Sequence, residues 1–333
     1  MRFPVGLSTK LAGYIIKKRL ARETYTPLVL MLEPLFACNL KCATCGRIRE
    51  YRDRASEMMS LDECIASAVE CGAPVVSVCG GEPLIYPEIV GLVEALTGMG
   101  RYVYLCTNGV KLLESIDSLR PSGRLLINVH LDGPAEVHDA LVCKSGAFES
   151  AVNGIVVAAK RGFQVTVNTT VCKQTNMNQL DAMMSVLGNL GVSCFMLSPA
   201  YSYQAVDSRD WFMSRTDIRE KFKNIDQLAQ RHRLADSPIY LEYLKGEREL
   251  KCTAWGNPTR NPAGWRSPCY LLADRHYPTY KELIENTDWH SYGADNDPRC
   301  RDCMVHCGFE PTAALMIDKR PGDFWKMVKW QFG

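Results

Sequence analysis

The chain has 333 residues, of which 47% are hydrophobic and 23% are charged, so it can bury a large core and is neither a disordered segment nor a small stapled scaffold. Lysine and arginine number 39 against 37 acidic residues, and the net charge of +2 provides no overall field for binding nucleic acid. At about 100–200 residues per domain, this length predicts one large domain with a smaller addition.

Residues 1–26 form a basic N-terminal segment. It holds six cations before Glu23 and no acid in that stretch, and its apolar residues fall near helical spacing, which predicts an amphipathic helix. Two interpretations stay open, an arm packed on the body of the protein and a helix that contacts a membrane surface.

From Pro27 onward, short β-branched runs alternate with longer helical stretches, a pattern typical of βαβ units and a parallel sheet. A capping box at Ser60 and Glu63 starts one helix, Gly72 ends it, and Gly162 ends another. We expect an α/β fold, a partial (βα)6 barrel with functional groups at the carboxyl ends of its strands. Six strands are predicted: Leu28–Phe36, Val75–Cys79, Tyr102–Cys106, Leu125–Leu131, Gln164–Val171 and Ser193–Ser198.

The pattern changes after Tyr201. Helical stretches are predicted over Thr216–Arg233 and Pro238–Lys245, and the Gly/Pro/Trp-rich region Lys251–Tyr280 is typical of a hairpin with irregular loops. We place a boundary near Lys245, so that residues 27–245 form the barrel and residues 246–333 form a small cysteine-rich α+β extension.

Fifteen cysteines are present, and an odd number cannot all pair. Residues 1–26 lack the apolar core and cleavage site of a signal peptide, and no window approaches about 18 uncharged apolar residues. We therefore expect a cytoplasmic protein whose reduced thiols are available for metal or radical chemistry.

Three of these cysteines, Cys38, Cys42 and Cys45, lie in the loop after the first predicted strand. Three soft ligands in one loop select zinc or an iron–sulfur cluster. Structural zinc needs four protein ligands, and this loop offers no fourth, so zinc would have to take a distant ligand. A cluster held by three cysteines keeps one iron open for another ligand.

The spacing CxxxCxxC after the first strand of such a barrel resembles the radical S-adenosylmethionine (SAM) enzymes. That resemblance implies a 4Fe-4S cluster on the three cysteines, with SAM chelating the open iron. The segment Gly80-Gly81-Glu82 resembles the family's GGE motif, which contacts the methionyl amine. The bare residues allow an ordinary strand-to-helix turn as well, since glycines permit sharp turns.

Polar side chains alternate along three of the strands, which places them on one face. A plain core would be filled with aliphatic residues, so a polar ligand cavity is the better interpretation. By resemblance, Asp132 and Asn168 are candidate SAM contacts, and Asn108 lines the same cavity. His130 fits a hydrogen-bonded core histidine or a proton-transfer group. The polar sets are Cys106 and Asn108; Asn128, His130 and Asp132; and Thr166, Asn168, Thr170 and Cys172.

The whole chain resembles the adenosyl-hopene transferase family of hopanoid biosynthesis. The resemblance is carried by Met1–Val5, Cys38–Arg47, Asn128–Gly133, Trp265–Leu272 and Cys300–Glu310. It implies that the 5'-deoxyadenosyl radical adds to the alkene of diploptene and gives adenosylhopane. It also implies an electron donor such as flavodoxin or ferredoxin, and peripheral contact with the inner face of the membrane.

The addition leaves a carbon radical that must be quenched by a hydrogen atom, and a thiol is a natural donor. Cys106 is predicted to be that donor, with Cys79 and Cys172 as rivals. Three further cysteines are predicted to be small buried hydrophobes, the usual environment of a free cysteine: Cys64, Cys71 and Cys194.

Four cysteines near the end of the sequence form a second set, Cys269, Cys300, Cys303 and Cys307. Four soft ligands can complete the coordination of a metal. Three interpretations remain: an auxiliary iron–sulfur cluster, structural zinc, and reduced thiols with no metal.

Two alternatives to lipid adenosylation remain. The chain could be a radical SAM enzyme that modifies a peptide, with the cysteine-rich extension handling that peptide. It could also be a non-catalytic zinc-binding protein, although such a module does not need six βα units with polar strand ends.

Overall fold

The computed structural model describes residues 3–317 and 319–333. Its nine strands form one sheet in the order β6-β5-β4-β3-β2-β1-β7-β8-β9. They are β1 (Val29–Leu32), β2 (Val75–Val78), β3 (Tyr102–Thr107), β4 (Leu125–His130), β5 (Gln164–Val171), β6 (Cys194–Pro199), β7 (Thr259–Asn261), β8 (Gly264–Pro268) and β9 (Ala273–Tyr277).

Helices connect the strands and cover one face of the sheet. They are α1 (Val5–Leu20), α2 (Arg47–Glu50), α3 (Leu61–Cys71), α4 (Ile89–Gly98), α5 (Leu112–Ser115), α6 (Ala135–Val142), α7 (Ala147–Lys160), α8 (Met177–Asn189), α9 (Arg215–Phe222), α10 (Ile225–Arg231), α11 (Pro238–Lys245), α12 (Tyr280–Asn286), α13 (His306–Ala314) and α14 (Asp323–Phe332). Short 3-10 helices lie at Arg52–Arg54, Pro83–Ile85, Ala254–Gly256, Trp289–Ser291 and Pro298–Cys300.

The six predicted βα units are confirmed, and β1 to β6 pair in parallel throughout. The largest difference is at β1, which ends at Leu32 rather than at Phe36. Pro34 follows two residues later and has no N–H to offer a neighbouring strand. The chain therefore leaves the sheet early and enters the cysteine loop.

The predicted helix ends are confirmed on α3. Ser60 and Glu63 form the capping box, with the Glu63 N–H donating to Ser60 Oγ at 3.2 Å and the Ser60 N–H donating to Glu63 Oε2 at 2.7 Å. Gly72 ends the helix at a φ of 69°, a conformation that favours glycine. The stretch predicted as one helix over Thr216–Arg233 is instead α9 and α10. The break falls at Asn224, since asparagine competes poorly in helix interiors.

The C-terminal part of the chain extends the barrel sheet. β7 pairs in parallel with β1, and β8 and β9 follow in antiparallel order, which confirms a hairpin within Lys251–Tyr280. The sheet therefore runs without interruption across the boundary proposed near Lys245, and the division into domains stays a prediction.

The N-terminal helix α1 packs at the amino ends of the strands, opposite the cysteine loop. Leu7 is buried against Val75 and Tyr102, and the Lys10 ammonium donates to the Gly100 carbonyl. Among the described residues, no single helix has the length and apolar character needed to cross a bilayer; α6 and α7 meet those criteria only jointly, across a bend of 112°.

Candidate functional site

The strand register divides the sheet into a helix-facing side and a lumen. Val78, Leu105 and Ile127 share one level and pack in the main core beneath the helices. The next level therefore faces the lumen, because side chains alternate along a strand. It holds Cys106, Asn128, Thr166 and Cys194 in register. Two residues further on, His130, Asn168 and Met196 form the level nearer the carboxyl ends.

The register confirms a polar lumen and adds a detail to one prediction. Cys194 is buried, as expected of a small hydrophobe, but it lies in register with Thr166 on the lumen face. Its neighbours along β6 are apolar, so the sequence alone did not distinguish a lumenal cysteine from a core cysteine. Cys64 and Cys71 are buried in the core on α3 as predicted.

The cysteine loop carries Cys38, Cys42 and Cys45, all half-buried and unpaired in disulfides. Its conformation is fixed by hydrogen bonds from elsewhere: the Ala43 N–H donates to the Leu141 carbonyl at 2.8 Å, and Arg49 donates to the Cys42 and Cys45 carbonyls at 3.1 and 2.5 Å. Burial raises the pKa of Cys38 to about 11, because a desolvated thiolate is costly. A bound metal reverses this preference, since a coordinating thiol is deprotonated.

The three thiols of the loop are the donor set that an iron–sulfur cluster takes from cysteine. Among residues 3–317 and 319–333, no group of three or more His, Cys, Asp or Glu side chains forms a ready-made site for one metal ion. The loop offers three soft ligands and no fourth, so its residues fit a cluster that keeps one iron for another ligand.

The Gly80-Gly81-Glu82 segment runs against the backbone of the cysteine loop. The Gly81 N–H donates to the Leu35 carbonyl at 3.2 Å and the Glu82 N–H to the Ala37 carbonyl at 2.9 Å. A Cβ on Gly81 would lie 1.7 Å from the Ala37 oxygen, and Gly80 has a φ of 105°. Only glycines allow this approach, and it fixes the position of one loop relative to the other.

Glu82 is 1% exposed and uses both carboxylate oxygens within the protein. Oε1 accepts from Thr107 Oγ1 at 2.6 Å and from the Leu84 N–H at 2.9 Å, while Oε2 accepts from the Asn108 N–H at 2.8 Å. Burial raises the pKa of Glu82. Its side chain thus joins the ends of β2 and β3, and its contact with SAM stays a prediction.

The remaining candidate SAM contacts lie close together at the carboxyl ends of β3, β4 and β5. Asn108 donates to Asn39 of the cysteine loop at 2.7 Å. Asp132 accepts from the Thr170 N–H at 2.8 Å and pairs with His130 at 2.7 Å. Asn168 approaches His130 at 3.5 Å through its amide nitrogen, and its Oδ1 is buried without a hydrogen-bond partner. A buried amide oxygen without a partner in the protein can accept a hydrogen bond from a bound ligand.

The half-buried His130 is hydrogen-bonded to the buried Asp132. Burial opposes both charges, yet the Asp132 carboxylate raises the pKa of His130 and His130 lowers the pKa of Asp132. The sequence left His130 open between a core and a proton-transfer role. The hydrogen bond between His130 and Asp132 explains the position of this histidine, because the imidazole holds the Asp132 carboxylate in place.

Cys106 lies deeper in the lumen than these residues. Its Sγ is 3.2 Å from Ser77 Oγ and accepts from Asn128 Nδ2 at 3.6 Å, and Thr166 Oγ1 donates to Asn128 at 2.9 Å. Burial raises the pKa of Cys106, so the sulfur keeps its hydrogen at neutral pH. The rival Cys79 lies on the neighbouring strand, and the rival Cys172 lies near the rim.

An apolar cavity of about 290 Å³ opens beside Cys172 at the carboxyl end of β5. Trp211 forms one wall, and α6 supplies Val137, Ala140 and Leu141. A cavity of this size approaches the range of small-molecule sites.

The C-terminal cysteines line a second cavity together with Tyr201 and Tyr270. The structure brings Cys269, Cys300, Cys303 and Cys307 together as predicted and adds Cys252. The backbone N–H groups of Leu271 and Leu272 both donate to Cys269 Sγ at 3.4 Å. Gly308 makes room for the fifth cysteine, since a Cβ there would lie 2.7 Å from Cys252 Sγ. Sequence reasoning missed Cys252 because it stands outside the CxxCxxxC motif.

Two family models match the chain in succession. The radical SAM superfamily matches residues 32–187, and a domain of unknown function, DUF3463, matches residues 195–327. The chain is similar to the AdoMet-dependent heme synthase of Methanosarcina barkeri, with 32% identity over 52% of this chain and 50% of that protein. It thus spans about half the length of this curated relative.

Two groups of solved structures share the fold. SuiB of Streptococcus suis bound to its precursor peptide SuiA has a TM-score of 0.63 and 15% identity, over 88% of this chain and 74% of SuiB. The enzyme anSMEcpe with bound AdoMet and a peptide has a TM-score of 0.57 and 18% identity, over 92% of this chain and 97% of that chain. These structures establish the fold, an α/β barrel with a C-terminal extension.

Proposed function

We propose that this chain, which through residues 32–187 belongs to the radical SAM superfamily, adds the 5'-deoxyadenosyl group of SAM to the alkene of diploptene and forms adenosylhopane. The chain is a radical SAM protein whose cofactors are a 4Fe-4S cluster and SAM.

The cofactors fit the residues at the carboxyl ends of the strands. Cys38, Cys42 and Cys45 would hold three irons, and the glycines at 80 and 81 leave backbone open beside the loop. The unpartnered Asn168 oxygen is available to a SAM hydroxyl or amine. Reduced by one electron, the cluster with its bound SAM supplies the 5'-deoxyadenosyl radical.

The observation that carries the proposal is the Cys106 thiol inside the lumen. Addition of the adenosyl carbon to the terminal alkene carbon forms one C–C bond and leaves a tertiary carbon radical on the substrate. Cys106 transfers its hydrogen atom to that carbon, which completes the saturated product and leaves a thiyl radical on sulfur. Asn128 Nδ2 donates to the Cys106 sulfur, and Ser77 Oγ lies 3.2 Å from it, so both side chains hold the sulfur on the lumen face.

A largely apolar cavity at the carboxyl end of β5 supports a hydrocarbon substrate. The cavity beside Trp211 and Leu141 adjoins the strand end that carries Cys172. Burial of each CH2 group contributes about 0.8 kcal/mol, so an apolar lining favours a hydrocarbon ligand. Diploptene itself enters the proposal through the resemblance to the adenosyl-hopene transferase family.

Peripheral contact with the inner face of the membrane, from the cytoplasm, forms part of the proposal. The residues just before α1 contact the end of α14, where Gln331 donates to the Phe3 carbonyl at 2.9 Å, and Arg19 near the end of α1 donates to the carbonyl of Leu315, the residue after α13. Both helices expose large apolar side chains, namely Ile16, Leu20, Phe324, Trp325 and Phe332. Combined with exposed cations, such a surface suits an anionic bilayer.

The electron donor is a further part of the proposal. Flavodoxin or ferredoxin would supply the electrons.

The C-terminal cysteines are proposed to hold an auxiliary iron–sulfur cluster. Two backbone N–H groups aimed at Cys269 Sγ stabilise a thiolate, because hydrogen bonds to the charged form favour it. Structural zinc is the rival ligand for this cavity. Anaerobic reconstitution should give about eight irons per chain, and about four irons per chain, with zinc in the extension, would reject the auxiliary cluster.

A second candidate function is modification of a peptide by the same radical. It is supported by the shared fold with SuiB bound to its precursor peptide and with anSMEcpe bound to a peptide. The alternative of a non-catalytic zinc-binding protein does not fit membership of the radical SAM superfamily.

The two substrates are separated by one anaerobic incubation of reconstituted protein with SAM, dithionite and either diploptene or a peptide library. We expect a covalent adenosyl–hydrocarbon adduct by mass spectrometry. Release of 5'-deoxyadenosine with a modified peptide, and no lipid adduct, would overturn the lipid assignment in favour of the second candidate.

A further inference from the structure

The turn over residues 269–272 holds the sulfur of Cys269 at the C-terminal cysteine cavity. The N–H groups of Leu271 and Leu272 both donate to this sulfur at 3.4 Å. Each N–H shares a peptide unit with the carbonyl of the preceding residue. The hydrogen bonds made at those two carbonyls therefore act on the sulfur through the peptide units.

Both of these carbonyls accept hydrogen bonds from buried arginines. The Tyr270 carbonyl, in the same peptide unit as the Leu271 N–H, accepts from Arg47 at 3.0 Å. The Leu271 carbonyl, in the same peptide unit as the Leu272 N–H, accepts from Arg266 at 3.2 Å. Arg47 is 7% exposed and Arg266 is 0% exposed. Two positive charges thus act on one cysteine sulfur, each through a single peptide unit.

A carboxylate fixes each arginine in place. Arg47 pairs with the buried Glu33, and Arg266 donates to Glu50 at 3.0 Å. In both cases the guanidinium, and not the carboxylate, is the charge in direct contact with the peptide carbonyl. Because the interaction between charges weakens with distance, the arginine dominates the polarisation of that peptide unit.

This arrangement has a defined effect on a metal cluster bound by the sulfur. Hydrogen bonds in a chain polarise one another, so a cation at the carbonyl strengthens the N–H donor at the other end of the peptide unit. Hydrogen bonds to the sulfurs of an iron–sulfur cluster help to set its reduction potential. They favour the more negative, reduced form and therefore raise the potential.

We infer that Arg47 and Arg266 are positioning residues that raise the reduction potential of the C-terminal cluster through the two amides on Cys269, and this inference rests on the auxiliary cluster of the proposed function. Arg47 lies two residues after Cys45, so one of the two charges comes from the segment that follows the first cysteine loop. The other comes from β8. The residues that set the properties of the C-terminal site are thus not confined to the C-terminal extension.

The test is a redox titration of the reconstituted enzyme followed by electron paramagnetic resonance. Added SAM changes the signal of the cluster it binds, so the signal that SAM leaves unchanged belongs to the C-terminal cluster. Arg266→Gln keeps an amide donor and removes the charge, and the Glu50 side chain that it leaves is 21% exposed and stays solvated. At the wild-type midpoint potential, we expect the reduced-to-oxidised ratio of the C-terminal cluster to fall at least about tenfold, which is about 59 mV for one electron.

A second variant and a control accompany this measurement. Arg47→Gln combined with Glu33→Gln removes the other arginine together with its carboxylate, so that no buried charge stays unpaired. It should lower the same ratio in the same direction. Arg101→Gln is the matched control, since Arg101 also donates to two carbonyls, those of Gly72 and Ala73 at 3.1 and 2.8 Å, away from the C-terminal cysteines. It should leave the ratio unchanged.

The iron content separates the inference from its premise. Wild-type midpoint potentials in both arginine variants, each with about eight irons per chain, would overturn the inference and leave the auxiliary cluster standing. If one variant loses the second cluster, the other decides by the same measurement. Loss of that cluster from both would also overturn the inference, because a change of potential leaves a cluster bound. A wild-type protein with about four irons and zinc in the extension would overturn the auxiliary cluster, and the inference with it.

Discussion

At the scale of single residues, the proposed hydrogen-atom transfer depends on a protonated thiol held on the lumen face. Ser77 and Asn128 contact the Cys106 sulfur, and Thr166 holds Asn128. Replacing the SH group by hydrogen, as in alanine, removes the weak S–H bond and leaves at most a small space, with no larger group to displace the neighbours.

Cys106→Ala should therefore separate SAM cleavage from product formation. We expect 5'-deoxyadenosine release to continue while saturated adenosylhopane falls at least about tenfold, which corresponds to a barrier about 1.4 kcal/mol higher. Chromatography with mass detection measures both. Cys143→Ser is the control, because Cys143 is exposed on the surface. Saturated product at the wild-type rate and stereochemistry from Cys106→Ala would refute the role.

A buried carboxylate pair behind β6 predicts a pH dependence of stability. Asp236 accepts from the Leu197 N–H at 2.9 Å and Glu310 accepts from the Ser237 N–H at 2.7 Å. Burial raises the pKa of Glu310 to about 7, above the value of 4.5 for a free side chain. Burial likewise raises the pKa of Asp236, and the nearby Glu310 carboxylate adds to it. Stability is then greatest below the unfolded pKa and declines as pH rises toward the folded pKa.

Glu310→Gln should flatten that decline, since the amide cannot ionise. We expect the melting temperature of the wild type to fall more than that of the variant between about pH 5 and about pH 7. Thermal unfolding followed by tryptophan fluorescence measures the difference. Parallel pH profiles for the two proteins would contradict the assignment.

At the scale of elements, the cysteine loop and the glycine segment depend on each other. Gly81→Ala places a Cβ 1.7 Å from the Ala37 oxygen, so the loop must move. We expect a loss of about 1–3 kcal/mol in the free energy of unfolding and fewer irons per chain after reconstitution. Gly188→Ala is the control on α8, where no atom lies within 4 Å of the added Cβ. Equal iron content in the two variants would show that this contact is dispensable.

The sequence predicted the elements of the barrel because local signals define them. Alternation fixed β5 at both ends, and the Ser60 cap and Gly72 fixed α3. The sequence did not predict that Cys194 faces the lumen or that Cys252 joins the C-terminal cysteines. Each position depends on contacts with distant strands or helices. The inward direction of Glu82 was equally hidden, because its partners Thr107 and Asn108 belong to the next strand.

At the scale of the whole molecule, the proposed membrane surface is formed by α1 and α14, the first and last helices described. Lys17→Gln should weaken binding to vesicles that contain phosphatidylglycerol by about fivefold, since each basic residue contributes about 1 kcal/mol at an anionic surface. Trp325→Ser should weaken it by removing a side chain that is 71% exposed. Val186→Ser, which changes a residue 58% exposed on α8, should have no effect. Co-sedimentation measures all three, and equal binding by every variant would reject the surface.

The direct test of alkene adenosylation with a thiol quench is the mass of the product formed in deuterium oxide. A thiol exchanges its hydrogen with solvent, so the account predicts an adenosyl–hydrocarbon adduct that carries one deuterium at the tertiary carbon. An adduct without deuterium would contradict the thiol quench, and deuterium-free 5'-deoxyadenosine without any adduct would contradict the addition itself.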